Sequence, residues 1–213
     1  SVDADERVAW VEPGVINLDL SRALAPLGLH FAPDPSSQQA CSIGGNVANN
    51  AGGPHCLAYG VTSAHVLAVE VVLPDGTVTV LGGTGADVGL DLRGVFVGSE
   101  GTFGIATAVA VRLTPDPPAV QTLLADFARV EDAAAAVGAI IAAGVVPAAL
   151  EMMDRRITQA VEDFVHAGFP TDAAAVLLVE VDGLPAGVAA DAATVVSVLD
   201  AHGARTVRVA ADE

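Results

Sequence analysis

Three prolines within five residues, in Thr114-Pro115-Asp116-Pro117-Pro118, constrain this chain more than any other feature. Proline fixes φ and removes an amide, so the stretch can continue neither a helix nor a central strand. It divides the 213 residues into two regions, each long enough to need its own core. The regions differ in texture. Residues 1 to about 118 hold most of the glycine clusters, whereas residues from about 121 onward alternate strand-like and helix-like patterns.

In the first region the pattern predicts strands at Val8–Val11, Val66–Leu73, Thr77–Leu81 and Gly104–Leu113. Pro74-Asp75-Gly76 supplies the turn between the second and third. A short helix over Leu18–Leu27 would take Asn17 as its N-cap and Gly28 as its end. The second region reads strand Thr122–Phe127, helix Val130–Ala143, strand Ala148–Met153, helix Arg155–His166, strand Ala174–Val181, helix Gly187–His202 and strand Arg205–Val209. Glu131 and Asp132 lie in a first helical turn, where the helix dipole favours them. Four strands with three helices between them predict one mixed or antiparallel sheet with helices on one face.

Charge excludes several functions. The formal charge is −17, with nine Arg and no Lys. So acidic a surface repels phosphate backbones and anionic lipid heads, so no nucleic-acid partner is expected. Without Lys there is no P-loop and no Schiff-base lysine. No apolar run reaches the ~20 residues that span a bilayer, so no direct membrane insertion is expected. No leader is visible at Ser1, and the missing initial Met points to a processed or excised piece. Cys41 and Cys56 make no disulfide framework and no glycosylation sequon occurs, so a reducing cytoplasm is the default.

Two segments carry the candidate chemistry. The first is Pro33-Asp34-Pro35-Ser36-Ser37 followed by Cys41-Ser42-Ile43-Gly44-Gly45-Asn46-Val47-Ala48-Asn49-Asn50-Ala51-Gly52-Gly53. Gly44 and Gly45 admit close backbone approach, and their amides near a helix start would suit an anionic or carbonyl-rich group. Asn46, Asn49 and Asn50 add neutral donors and acceptors. The second is Gly98-Ser99-Glu100-Gly101-Thr102-Phe103-Gly104-Ile105, a tight loop feeding a strand. Taken singly, either loop reads equally well as an ordinary turn.

Taken in order, these segments resemble the FAD-linked oxidases, the family of glycolate oxidase flavin subunits, D-lactate dehydrogenases and D-2-hydroxyglutarate dehydrogenases. Tyr59-Gly60, Glu70-Val71-Val72-Leu73-Pro74-Asp75-Gly76, Asp91-Leu92, Glu151-Met152-Met153-Asp154 and Glu180-Val181-Asp182-Gly183 extend the resemblance across essentially the whole chain. It implies an α+β chain. Residues 1–118 would be the C-terminal half of a vanillyl-alcohol-oxidase-type FAD-binding domain, and residues 119–213 part of a ferredoxin-like, substrate-side cap. It implies FAD as cofactor, lined by Pro33, Asp34, Pro35, Ser36, Ser37, Cys41, Ser42, Ile43, Gly44, Gly45, Asn46, Asn49, Gly52, Gly53, Glu100, Gly101, Gly104 and Ile105. Cys41 stands where relatives often carry Thr or Ser, and Phe103 where Leu is commoner.

The implied activity is oxidation of a 2-hydroxy acid, of glycolate or D-lactate type, to the 2-oxo acid, with hydride to flavin N5. Iron–sulfur subunits would accept the electrons. The family's Gly-rich pyrophosphate loop lies before this stretch, and its substrate-binding basic residues and histidine pair lie after it. The chain is therefore expected to be an internal piece, catalytically silent alone, weak in FAD binding, and prone to pair through an exposed sheet edge. It names no catalytic side chain. A non-catalytic flavin-binding or interaction subunit is the alternative, and a murein-precursor reductase of the same fold a weaker third.

Other features read as structural. His55-Cys56 lacks the spacing of a metal site, so no metal is expected. His30, His65, His166 and His202 read as surface or helix-end residues. Gly82-Gly83-Thr84-Gly85 imitates a dinucleotide fingerprint, but Val88 occupies its third glycine position. Glu151 and Asp154 read as capping or solvated carboxylates, and Trp10 and Tyr59 as packing residues without a stacking partner.

Overall fold

The computed structural model describes residues 1–83 and 89–210, so Thr84 to Val88 of the mock fingerprint lie outside the described residues. The chain forms two compact units, Ser1–Asp116 and Pro117–Glu213. Unit 1 runs β1 (Val2–Asp3), β2 (Val8–Val11), α1 (Asn17–Leu24), β3 (Leu29–His30), α2 (Ile43–Asn49), α3 (Cys56–Tyr59), α4 (Thr62–His65), β4 (Val66–Val72), β5 (Val78–Gly82), α5 (Leu92–Phe96), β6 (Ile105–Arg112) and β7 (Thr114–Pro115). Its main sheet is antiparallel with strand order β1-β2-β6-β4-β5, and β3 pairs separately with β7.

β4 is an interior strand, between β6 and β5, and its residues are almost all aliphatic. Its one polar residue, Glu70, is matched across the ladder, where the Thr107 hydroxyl donates to Glu70 Oε1 at 2.7 Å. Val66, Val69 and Val71 of β4 and Val109 and Val111 of β6 meet Leu24 of α1, Ile43 and Val47 of α2, and Phe31. The helices that carry the candidate segment are thus pinned to the sheet by buried aliphatic side chains, each stabilising by about 1.5–3 kcal/mol. A short 3₁₀ turn, Ala25–Leu27, extends α1, and Gly28 ends it in the left-handed region at φ 66°. Asn17 is not the N-cap. That position is Ile16, and Asn17 is fully buried inside the first turn.

Unit 2 runs β8 (Ala119–Phe127), α6 (Val130–Ala142), β9 (Ala149–Asp154), α7 (Arg155–Val165), β10 (Ala175–Gly183), α8 (Pro185–Ala201) and β11 (Ala204–Val209). All four expected strands lie in one sheet, ordered β11-β8-β10-β9 with every neighbouring pair antiparallel. Two interleaved βαβ units, β8-α6-β9 and β10-α8-β11, give a ferredoxin-like arrangement with α7 inserted between β9 and β10. Alternate residues of β8 (Leu123, Ala125, Phe127) and β10 (Ala175, Leu177, Val179, Val181) share a core with Ala133, Ala136 and Ile140 of α6 and Val188, Val195 and Leu199 of α8. The fold is α+β.

Candidate functional site

The site in unit 1 begins at Pro13-Gly14, a turn between β2 and α1. It presses on the start of α2: Gly44 N donates to Pro13 O and Ile43 N to Val15 O, each at 2.8 Å. A Cβ on Gly44 would sit 2.6 Å from Pro13 Cβ. Glycine at 44 is thus required by a neighbour in the chain. Ser42 caps the helix, its Oγ accepting from Gly45 N at 3.1 Å. The first three amides of α2 are therefore committed to protein acceptors, and the expectation that those of Gly44 and Gly45 await an anion is corrected.

The second segment lies against the end of α2. Gly98 N donates to Val47 O at 2.8 Å and Glu100 N to Ala48 O at 2.9 Å. The loop turns through left-handed residues, Gly98, Glu100 and Gly101, at φ 87°, 53° and 76°. For Glu100, which has a Cβ, this conformation costs about 1–2 kcal/mol. Gly104 comes so close to β4 that a Cβ there would lie 2.6 Å from Val71 Cγ1.

Between the two segments is a cavity of about 410 Å³, within the roughly 300–1,000 Å³ of small-molecule sites. Ser42, Gly44, Gly101, Gly104 and Ile105 line it as expected from sequence. Sequence reasoning missed Pro13, Gly14, Val47, Ala48, Phe96, Ser99 and Ala106, which complete the wall. The Pro13-Gly14 dipeptide was a legible turn signal, but nothing local aims it at α2. Among the described residues no ionisable side chain lines the cavity. The Ser99 hydroxyl is buried and has no hydrogen-bond partner among the described residues. An uncharged wall of small residues with one unmatched hydroxyl fits a flat heterocycle with a polar edge. It offers no cation to a diphosphate.

The remaining candidate residues form a second assembly. Buried Asn46 donates to Asn17 Oδ1 at 3.0 Å, and Asn17 donates to Pro33 O at 3.1 Å, tying α2 to the Pro33–Ser37 turn. Ile43 is wholly buried in the core. Asp34 Oδ2 lies 2.6 Å from His55 Nδ1, while Asp34 Oδ1 is buried without a partner among the described residues. A Cβ on Gly53 would meet Asp34 O at 2.4 Å, and one on Gly52 would meet Cys56 Sγ at 2.5 Å. Asn49 donates to Gly45 O. Ser37 O accepts from the amides of Ala40 and Cys41, and Ser36 and Ser37 are exposed. Cys41 and Cys56 are free thiols.

Two readings of single residues change. Tyr59 has ring neighbours, His30 edge-on at 6.2 Å and His55 tilted at 6.5 Å. His65 ends α4, as the helix-end reading had it, but is buried there, with Nε2 facing Tyr59 O at 2.8 Å and Nδ1 unpartnered among the described residues. Burial pushes its pKa down, the hydrogen bond to Tyr59 opposes this, and the charges of Arg112 and His30 add to the lowering. In unit 2, Asp154 caps α7 by accepting from Ile157 N at 2.9 Å. A buried carboxylate that the sequence did not single out, Asp126, accepts from Arg205 Nε at 2.5 Å and from the Thr206 hydroxyl.

Comparison with known proteins decides the affiliation. Residues 1–82 match the FAD binding domain family, and residues 116–213 match the C-terminal domain of FAD linked oxidases. The chain belongs to the FAD-linked oxidase family. The cofactor of that family is FAD. Over 97% of its length it is 53% identical to glycolate oxidase subunit GlcD of Escherichia coli, covering 42% of that protein. It is 47% identical to the GlcD subunit of Bacillus subtilis over 85% of its length, covering 39% of that relative. It is 36% identical to a D-lactate dehydrogenase of Anaerostipes hadrus over 76% of its length, covering 34% of that enzyme. It thus spans well under half the length of these curated relatives. In structure it resembles alkyldihydroxyacetonephosphate synthase, with a TM-score of 0.81 at 23% identity, over 96% of this chain and 40% of that one. At that identity the likeness speaks for the fold alone. Among the described residues no helix is long and apolar enough to cross a membrane.

Proposed function

We propose that this chain forms part of an FAD-dependent enzyme that oxidises a 2-hydroxy acid, of glycolate or D-lactate type, to the 2-oxo acid. The observation that carries the proposal is the uncharged cavity between α2 and the Gly98–Gly104 loop, with the unmatched Ser99 hydroxyl in its wall. Ser42, Gly44, Ser99, Gly101, Gly104 and Ile105 would hold the flavin ring. Pro33, Asp34, Pro35, Ser36, Ser37, Cys41, Gly45, Asn49, Gly52, Gly53 and Glu100 would line the rest of the cofactor, with Ile43 and Asn46 bracing the wall from behind. Bound there, FAD would supply the two-electron acceptor for the substrate's α-hydride.

The chain's own residues do three things in this reading. Val47, Ala48, Phe96 and Ala106 exclude water from the cavity wall. The backbone turns at Gly44 and Gly104 are fixed by Pro13 and β4, which preorganises that wall. The Ser99 hydroxyl, buried in that wall without a partner among the described residues, would be the group to turn toward the polar edge of the ring. Among the described residues no charged side chain of this cavity would meet a substrate carboxylate, which accords with a place for the cofactor rather than the acid. Residues 1–118 would then be the C-terminal half of the FAD-binding domain and residues 119–213 part of the cap. The relatives' name, glycolate oxidase subunit, supports assembly with other subunits, for which iron–sulfur electron acceptors are our proposal, and the two free thiols accord with a cytoplasmic setting.

The test is Ser99→Ala in the native polypeptide that carries this sequence, followed by flavin fluorescence. Removing an unpartnered hydroxyl leaves stability unchanged or slightly raised, whereas loss of one ring hydrogen bond of about 1.4 kcal/mol lowers FAD affinity about tenfold. Unchanged affinity would show that the ring lies elsewhere.

A further inference from the structure

The strongest feature outside the cofactor site is a face of α7 in unit 2. Thr158 is fully buried and marks the side of this helix that meets its own unit. More than a quarter-turn round the helix, Ile157, Ala160 and Phe164 form one exposed row at i, i+3 and i+7. Phe164 is 88% exposed, an unusual position for so large an apolar ring. Arg156 and Asp163 sit together along one flank of that row, seven residues or nearly two turns apart. Neither forms an ion pair with a described residue.

We propose that this face of α7 is a two-fold interface with a second copy of the same chain. The pattern is self-complementary. When an antiparallel copy is laid on the row with the two-fold axis near Ala160, Ile157 falls within one residue, about 1.5 Å along the helix, of Phe164 of the copy, and Arg156 falls equally near Asp163. Both pairs recur by symmetry, as a two-fold contact demands. Ala160 at the crossing has no side chain beyond Cβ, which lets the two helix axes approach closely. The reciprocal cation and anion on the flank give the antiparallel direction its preference, since a parallel two-fold would carry this flank to the far side of the copy and leave both charges without their partners. The proposal does not depend on the cofactor reading, because no residue of this row belongs to the candidate flavin site.

The experiment is sedimentation of the native polypeptide carrying this sequence, at a series of micromolar concentrations. A dimer is expected for the wild type. Phe164→Glu, at an exposed position that leaves helix content by circular dichroism unchanged, is expected to yield monomer. R156D and D163R, each alone, set like charges opposite each other twice, and are expected to weaken the dimer about tenfold or more. An equimolar mixture of R156D and D163R chains restores opposite charges at both pairs, so dimer is expected to return as a heterodimer. A wild type that stays monomeric because another segment of its own polypeptide covers α7 would overturn the proposal. So would a dimer that survives F164E, or single charge variants whose mixing restores nothing.

Discussion

Two adjacent glycines, Gly44 and Gly45, should respond to alanine to very different degrees. Both lie in the first turn of α2, so both gain helix propensity, roughly 0.5–1 kcal/mol. At Gly45 the new Cβ meets only Ser42 Oγ, at 3.3 Å, a tight contact that a small hydroxyl shift relieves. At Gly44 it meets Pro13 Cβ at 2.6 Å and Pro13 O at 3.0 Å. Pro13 cannot rotate away, and its carbonyl is held by Gly44 N, so the overlap must be relieved by moving α2 or the turn. Overpacking of this kind costs about 1–3 kcal/mol. The net expectation is a loss of about 1–2 kcal/mol for Gly44→Ala, against a change within about 0.5 kcal/mol for Gly45→Ala. Urea unfolding followed by circular dichroism measures both. A Gly44→Ala protein as stable as Gly45→Ala would refute the argument that Pro13 dictates the glycine.

Three further outcomes follow from unit 1 and unit 2. The lowered pKa of buried His65 means that the unfolded chain takes up its proton first; stability should fall as pH drops below 6.5, the ordinary histidine value, towards the lower folded one, and His65→Gln should flatten that dependence in pH-resolved unfolding curves. Asp126→Asn removes the charged acceptor of Arg205 and Thr206 in a buried position and should cost about 1–3 kcal/mol in chemical denaturation, whereas an unaltered midpoint would mean the network contributes nothing. Gly138→Ala in α6 meets no neighbouring atom and should stabilise by about 0.5–1 kcal/mol, read as a raised urea midpoint.

Unit 2 was legible because its signals are local. Alternation in β8 and β10, the acidic first turn of α6 and the Asp154 cap of α7 each lie within a few residues of what they specify. The cavity in unit 1 was legible only in part. Gly44 and Gly104 announce close approach, but what approaches is Pro13 in one case and β4 in the other, both distant in sequence. The same applies to Asn17, which looked like a cap and is instead a buried link from Asn46 to Pro33, 16 residues on. Ser99 gave no signal, since a serine in a glycine loop is ordinary until burial leaves its hydroxyl unmatched. His65 does end a helix, α4, as one of the two readings had it, but its burial against Phe31 could not be read from the sequence, because Phe31 lies 34 residues away.

The central claim is that the α2 cavity belongs to a flavin site that oxidises 2-hydroxy acids. The most direct test is the visible spectrum of the native polypeptide carrying this sequence, recorded before and after anaerobic addition of glycolate, D-lactate or D-2-hydroxyglutarate. The account predicts flavin absorbance in the purified protein and bleaching by at least one of the three acids. Bound flavin that none of them bleaches would favour a non-catalytic flavin subunit, and protein that remains colourless even after reconstitution with FAD would contradict the assignment of the site.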